Sequence, residues 1–339
     1  MQLLIKRILL ICLFITTGCL FADDGLLRRP AVKLYIDNMV KQHHFDRKQL
    51  VAILRAAQFQ PQIIESMEKP FEQKPWDVYQ DLFLQPERVS LGVQFWEANR
   101  KALDRAAKEY HVPPQIIVAI IGVETLYGKH QGNYRVIDAL TTLAFYYPKR
   151  SPYFTRELTE FLLLCKEHHV PVTQYAGSYA GAMGKPQFMP SSYRLYAVDY
   201  RGNGRPDLMN DDSDAIGSVA NYLHHYGWKN NGDIATPVEL HGSGYKKLVL
   251  NSKTPNYDYK HLLKLGVSPR SLASKQPQQV GLMEFTTQKG LEYWMMFPNF
   301  YVITRYNSSP QYALVVYLFS QSLYNRWANL HVHDANPYS

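Results

Sequence analysis

The stretch Pro113–Gly128, reading PPQIIVAIIGVETLYG, constrains this chain more than any other. Two prolines suit the first turn of a helix, and Gly128 suits its end. Between them Ile116, Ile117, Val118, Ala119, Ile120, Ile121 and Val123 are apolar nearly all round, the pattern of a helix buried in a core. One carboxylate, Glu124, interrupts it on the face of Ile117, Ile120 and Ile121. Burial and the negative end of the helix dipole both disfavour an ionised Glu there, so its pKa is expected to rise. A carboxylic acid protonated near neutral pH is what a general acid requires. A lone buried Glu in a structural ion pair reads the same way in sequence, so this stretch alone leaves both roles open.

The 339 residues can bury a large core in two or three lobes. Residues 1–18 stand outside the fold: Lys6 and Arg7 precede the apolar run Ile8–Ile15, the layout of a secretory signal and too short to span a bilayer. The run ends at Thr16-Thr17-Gly18-Cys19, which resembles a bacterial lipobox with Thr16 where Leu is usual. Cleavage after Ala22 is the competing reading. Lipidation at Cys19 would anchor the chain to a membrane, and Leu20 would sort it to the outer membrane, facing the periplasm; plain cleavage would leave it soluble in the periplasm. With Cys12 and Cys19 assigned to targeting, Cys165 is a lone buried thiol after three leucines. Removing Lys6 and Arg7 takes the net charge from +8 to +6. A basic secreted chain suits a polyanionic partner such as a cell-wall polymer, and no nucleic-acid-binding signature is present.

Helical periodicity dominates. It predicts helices over Pro30–His43, from an Asp46 cap through Leu54, over Gln62–Met67, and from Pro86 to Tyr110 without a break. Others follow over Arg135–Tyr146, Tyr153–His168, Asp214–Tyr226 and Tyr312–Arg326. Lys69–Pro75 reads as a loop, and Tyr175–Tyr193 as glycine- and proline-rich turns that let the backbone approach something closely. Val238–Leu240, Lys247–Leu250 and Val280–Phe285 are short and β-prone, His261–Leu265 and Pro269–Ala273 read as helical turns, and Tyr293–Tyr306 as irregular. The expectation is a mainly α (α+β) chain. Its parts are a signal at 1–18, an N-terminal helical region at 19–95, a core at 96–232 plus 299–327, a small β-containing insertion at 233–298 and a tail at 328–339.

Four stretches in order, IIGVETLYG at 120–128, GSYAGAMGKPQFMPSSY at 177–193, DAIGSVANYLHHYGW at 214–228 and NFYVITRYNSSPQYA at 299–313, resemble the lytic murein transglycosylases of the B type. The similarity spans residues 75–326. It implies a lysozyme-like core and an enzyme that cuts peptidoglycan glycan strands between N-acetylmuramic acid and N-acetylglucosamine. No cofactor is required for that chemistry. The family's single acid, and then base, falls on Glu124. The muramyl C6 hydroxyl closes on C1, leaving a 1,6-anhydro end, so no second carboxylate is needed. Asp138, fourteen residues on, then reads as structural; a hydrolytic muramidase using both carboxylates, or a non-catalytic wall-binding scaffold, are the alternatives. Groove residues carry over as Ser178, Gln187, Tyr222, Tyr306, Asn307 and Tyr312, with Tyr79 in PWDVY another match. Each tyrosine also reads as an ordinary core ring.

Asp199–Asp207, DYRGNGRPD, resembles the start of an EF-hand calcium loop. The family's ligands would fall on Asp199, Asn203, the Arg205 carbonyl and Asp214. Two departures stand out: Arg201 occupies a ligand position, and the loop is one residue longer before Asp214, with Asp211 and Asp212 as rivals. A metal-free loop, with Arg201 in the cation's place, is the other reading.

Overall fold

The computed structural model describes residues 24–68, 74–271 and 279–331. Cys19 and the signal segment lie outside the described residues. Among the described residues no helix is long and apolar enough to cross a membrane.

The chain divides into two units. In the first, α1 (Asp24–Arg28) and α2 (Pro30–His43) pack with α3 (Arg47–Ala56). The Asp46 carboxylate accepts from the Gln49 N–H at 2.8 Å, which starts α3 where the capping residue predicts.

The second unit begins at Phe59. Its helices are α4 (Pro61–Met67), α5 (Trp76–Asp81), α6 (Pro86–Ala98), α7 (Arg100–Tyr110) and α8 (Pro114–Thr125). A two-residue strand, β1 (Tyr134–Arg135), leads into α9 (Val136–Tyr146) and α10 (Ser151–Glu167), then β2 (Ala176–Gly177), α11 (Pro190–Tyr196) and α12 (Asp212–His225). Next come β3 (Ala235–Leu240), β4 (Tyr257–Asp258), α13 (Tyr259–Lys264), β5 (Val267–Pro269), β6 (Gln279–Thr287) and β7 (Gly290–Met296). Two helices, α14 (Pro298–Tyr306) and α15 (Pro310–His331), complete it.

The buried helix is α8, as its composition requires. Residues Ile116 to Gly122 are all buried, and α6, α7, α12 and α15 pack around it. The continuous helix expected from Pro86 to Tyr110 is two helices broken at Asn99. There the side-chain amide turns back to the Phe95 carbonyl at 3.0 Å and reaches Asp212 Oδ2 at 3.3 Å. An amide that competes for backbone and tertiary partners disfavours the helical path.

All neighbours in the antiparallel sheet β4-β6-β7-β3-β5 enclose a small core with α13, built on Tyr259, Leu262, Val267, Val280, Leu282, Met295 and Phe297. The segment expected to be irregular, 293–306, is regular apart from Phe297, which joins β7 to α14. Tyr293 and Phe297 pack on the sheet core while Phe300 is buried in α14, and the change of period at Phe297 hides both patterns. Lys247–Leu250 forms no strand. A 3-10 turn, Gly244–Lys247, runs into it instead. Pro269, expected to open a helical turn to Ala273, instead ends an edge strand paired with β3, and residues 272–273 of that turn lie outside the described residues.

Candidate active site

Glu124 lies one residue from the end of α8, which stops at Thr125 and not at Gly128. Leu126 (φ 50°), Tyr127 (φ 61°) and Gly128 (φ 87°) follow in left-handed conformations. A non-glycine residue there costs on the order of 1–2 kcal/mol, so packing must hold the turn. The Tyr127 ring does so by filling space that only glycine leaves open. A Cβ on Gly92 would lie 2.3 Å from its hydroxyl, and one on Gly122 2.4 Å. Thr125 ties the same helix end to the glycine-rich loop, donating to the Lys185 carbonyl at 2.7 Å and accepting from the Gly128 N–H at 3.0 Å.

That loop is gripped along three consecutive residues. Thr125 bonds the Lys185 carbonyl, the Tyr306 hydroxyl bonds the Pro186 carbonyl at 2.5 Å, and the Gln187 side-chain amide donates to the Gln131 carbonyl at 3.1 Å. The Lys185 ammonium pairs with Asp212 at the start of α12. The motif glycines serve close approach: a Cβ on Gly132 would sit 2.1 Å from the Gly177 carbonyl oxygen. Lys185, Pro186 and Thr125 carry this clamp, and sequence reasoning passed over all three. Their only sequence signal is adjacency to Glu124 and Gln187.

Tyr312, buried near the start of α15, donates to Glu124 Oε1 at 2.6 Å. Its ring lies parallel to Tyr306, with centroids 6.4 Å apart and 7° between planes. Tyr306 packs in turn on Phe188 and Tyr222. Burial, and secondarily the nearby Glu124 carboxylate, push the pKa of Tyr306 and Tyr312 well above that of a free phenol, so both keep their protons. A donor on a carboxylate oxygen stabilises the ionised form, opposing the burial and dipole effects that the sequence emphasises. Glu124 itself is half-buried, not fully buried.

The structure brings Glu124, Tyr312, Tyr306 and the 178–187 loop together and assigns the polar groups unequally. Tyr222 donates its hydroxyl to the Arg305 carbonyl at 2.5 Å and is 6 % exposed, so it supports Tyr306 from behind and offers no free proton to the groove. The Asn307 side-chain oxygen accepts from the Ser309 N–H at 3.0 Å, shaping the turn between α14 and α15. Tyr79, also buried, packs on Trp76 and Phe83. Ser178 is the opposite case: its Oγ accepts from the Ala180 and Ala182 N–H groups at 3.3 and 3.1 Å, and its proton has no acceptor among the described residues. Gln187, at φ 50°, gives both its amide donations to the Gln131 and Gly184 carbonyls, leaving its side-chain oxygen as an acceptor.

Asp138 is 2 % exposed in the first turn of α9, and Arg135 grips both its oxygens at 2.6 and 2.7 Å. Cys165 is buried, which pushes its thiol up to about 12.

In the 199–214 loop, Asp199 accepts from the Gly202, Asn203 and Gly204 N–H groups at 2.7–2.9 Å. With its amide nitrogen turned toward them, Asn203 donates to the Arg205 carbonyl at 3.1 Å and to Asp199 Oδ1 at 3.2 Å. Those three expected ligands therefore converge. Asp214 does not join them: it is fully buried, and the Tyr200, Arg201 and Asp207 N–H groups hold its two oxygens at 2.8–2.9 Å. Of its rivals, Asp211 caps α12 and pairs with Arg201 at 3.0 Å, and Asp212 holds Lys185. Among the described residues no cluster of three or more His, Cys, Asp or Glu side chains is placed to hold a metal. The loop thus supplies about half of the six to eight oxygens that calcium takes, and its side chains do not fit the full set.

This acid at a helix end, clamped to a glycine-rich loop beside paired tyrosines, lies within residues 28–321, which match the transglycosylase SLT domain family. The chain belongs to that family, within the B-type lytic murein transglycosylases. It is 40% identical over 304 residues to the membrane-bound lytic murein transglycosylase B of Escherichia coli strain K12, covering 87% of this chain and 82% of that one. The soluble lytic transglycosylase SltB1 of Pseudomonas aeruginosa superposes with a TM-score of 0.82 at 41% identity, over 88% of this chain and 99% of the other. An Escherichia coli lytic transglycosylase in complex with calcium superposes at 0.82 with 40% identity, over 91% and 96%.

Proposed function

We propose that this enzyme cleaves the β-1,4 bond between N-acetylmuramic acid and N-acetylglucosamine in peptidoglycan, with Glu124 as sole acid and base. Glu124 gives its proton to the glycosidic oxygen as the C1–O bond breaks. Its carboxylate then takes the proton of the muramyl C6 hydroxyl while that oxygen bonds to C1. The proton count closes on one residue, no water enters, and a 1,6-anhydro end results. The observation that carries this reading is the 2.6 Å bond from Tyr312 to Glu124, which stabilises the carboxylate that must act as base in the second half. The engagement of both Asp138 oxygens by Arg135 supports a one-carboxylate route.

Ser178 and Gln187 present one donor and one acceptor, the complement of an acetamido group, whose carbonyl accepts and whose N–H donates. They hold the sugar's N-acetyl group in this reading, and Tyr306 and Tyr312 contribute ring faces more than hydroxyls. The chain works at the bacterial cell envelope, where its Escherichia coli relative is membrane-bound, with lipidated Cys19 as the anchor. Mass spectrometry of the mature N-terminus tests the anchor.

Mass spectrometry of muropeptides released from purified peptidoglycan tests the chemistry. Products one water lighter than hydrolysed reducing ends are expected. A purely hydrated set would establish a muramidase, and binding to sacculi without any release would establish a scaffold. Glu124→Gln should abolish release and leave binding to sacculi intact.

A further inference from the structure

We propose that the lysine-rich outer layer of the β-containing part is a docking face for a membrane surface bearing anionic phospholipid headgroups. Between His241 and Lys264 the chain carries five lysines, Lys246, Lys247, Lys253, Lys260 and Lys264, against one acid, Asp258. All five are exposed, and none pairs with a carboxylate among the described residues. Asp258 is turned to the start of α13, where it accepts from the His261 N–H at 3.1 Å, and Glu239 on β3 is taken by Arg270 at 3.4 Å. The positive charge of this layer is therefore left to solvent or to a partner.

Strand alternation sets the lysines apart from the catalytic body. In β6, Val280 and Leu282 point into the small core shared with α13 and with Tyr245, Leu248 and Leu250. Gly281 and Phe285 point the other way, where they meet Tyr301 of α14 and Trp76 of α5. The 245–250 segment and α13 thus cover the side of the sheet turned away from those helices. The two run side by side. At one end the His241 N–H donates to the Gly266 carbonyl at 2.8 Å, and at the other the Val249 N–H donates to the Tyr257 hydroxyl at 2.6 Å. Tyr245, Leu248, Tyr259 and Leu262 turn inward, which leaves Lys246, Lys247, Lys260 and Lys264 outside.

Apolar tips among the cations favour a lipid surface over a soluble polyanion. Val249 is 66% exposed and Leu263 41% exposed, close in sequence to Lys247 and Lys264. A charged polymer gives such side chains nothing to bury in, whereas the acyl boundary beneath lipid headgroups does. Clustered lysines draw the layer to anionic headgroups. The contact adds a reversible second attachment to an acyl anchor. It does not depend on how the glycan bond is broken.

Vesicle sedimentation tests the face. The full chain, carrying Cys19→Ser so that no acyl chain contributes, is mixed with vesicles of phosphatidylcholine alone or with phosphatidylglycerol added. Tighter binding to the phosphatidylglycerol vesicles is expected, weakening as salt is raised. Each lysine at an anionic surface is worth about fivefold in partitioning, so Lys246→Gln with Lys247→Gln, and Lys260→Gln with Lys264→Gln, should each weaken it roughly 25-fold. Lys101→Gln with Lys108→Gln, exposed on α7 and equal in charge change, should weaken it by less than about fivefold. Melting midpoints should be unchanged in all three pairs, since every substituted side chain is exposed. Equal losses in the three pairs would reduce the effect to net charge and overturn the face, as would equal binding to both vesicle types. Lost binding to lipid-free sacculi with vesicle binding intact would assign the face to a wall polymer and also overturn it. The mass of the wild-type products reports on the glycan chemistry separately, so the two readings fail independently.

Discussion

Replacing Tyr312 by Phe removes one hydroxyl from the site and almost nothing else. The Phe ring keeps the parallel contact with Tyr306 and fills the same buried space. What is lost is the 2.6 Å donation to Glu124 Oε1. A hydrogen bond to a charged group is worth about 1.5–3 kcal/mol. That stabilisation belongs to the carboxylate, so its loss favours the protonated acid and raises the apparent pKa of Glu124. In the proposed route the first step requires the protonated acid. The basic limb of kcat/KM against pH, where the free enzyme's acid loses its proton, should therefore move upward. Tyr312 cannot itself account for the limb, because burial and the Glu124 charge put its ionisation well above that of a free phenol. At the optimum, kcat should fall by about 10- to 100-fold as the carboxyl loses its orientation. The assay is initial-rate release of muropeptides over a pH series, with the melting midpoint as a control. An unmoved basic limb together with unchanged kcat would refute the argument.

Three further outcomes follow from the geometry. Gly122→Ala sets a Cβ 2.4 Å from the Tyr127 hydroxyl and 2.9 Å from Phe319, so overpacking of about 1–3 kcal/mol should outweigh a helix-propensity gain near 1 kcal/mol and lower the melting midpoint; a higher midpoint would show that the Tyr127 ring does not hold the turn after Glu124. Asp138→Asn should cost stability by about 1–3 kcal/mol through the lost Arg135 fork yet keep kcat within about threefold of wild type, and a loss of several orders of magnitude in release would restore Asp138 as a second catalytic carboxylate. Calcium at about 0.1 mM added to chelator-treated protein should give neither calorimetric heat nor a melting shift, because Asp214 is bound to three backbone N–H groups; a clear shift would mean that this side chain leaves them to ligate.

Much of the site was legible because its signals are local. The apolar run of α8 and the carboxylate within it can be read from sixteen consecutive residues, and the glycines at 177, 181 and 184 announce a close-packed loop. The polar economy of the site was not legible. Ser178, Gln187, Tyr222 and Tyr306 look alike in sequence as hydrogen-bonding groove residues. The structure leaves Ser178 a proton and Gln187 an oxygen, and turns the hydroxyls of Tyr222 and Tyr306 onto backbone carbonyls. The Asn99 break was missed because the residues on either side continue one helical stripe, and the competing partner, Asp212, is 113 positions away.

The sequence by itself determined that one helix is buried, that it carries one acid near its carbonyl end, and that helices predominate around a small β-containing part. Periodicity, caps and composition act over a few residues, so a linear reading captures them. Only the tertiary structure decided what surrounds that acid. Tyr312 is 188 positions from Glu124, the Thr125–Lys185 bond closes a span of 60, and the Tyr127 ring depends on a glycine in another helix. Such choices are settled by which surfaces bury together and which polar groups must then find partners, and neither is encoded at any single position.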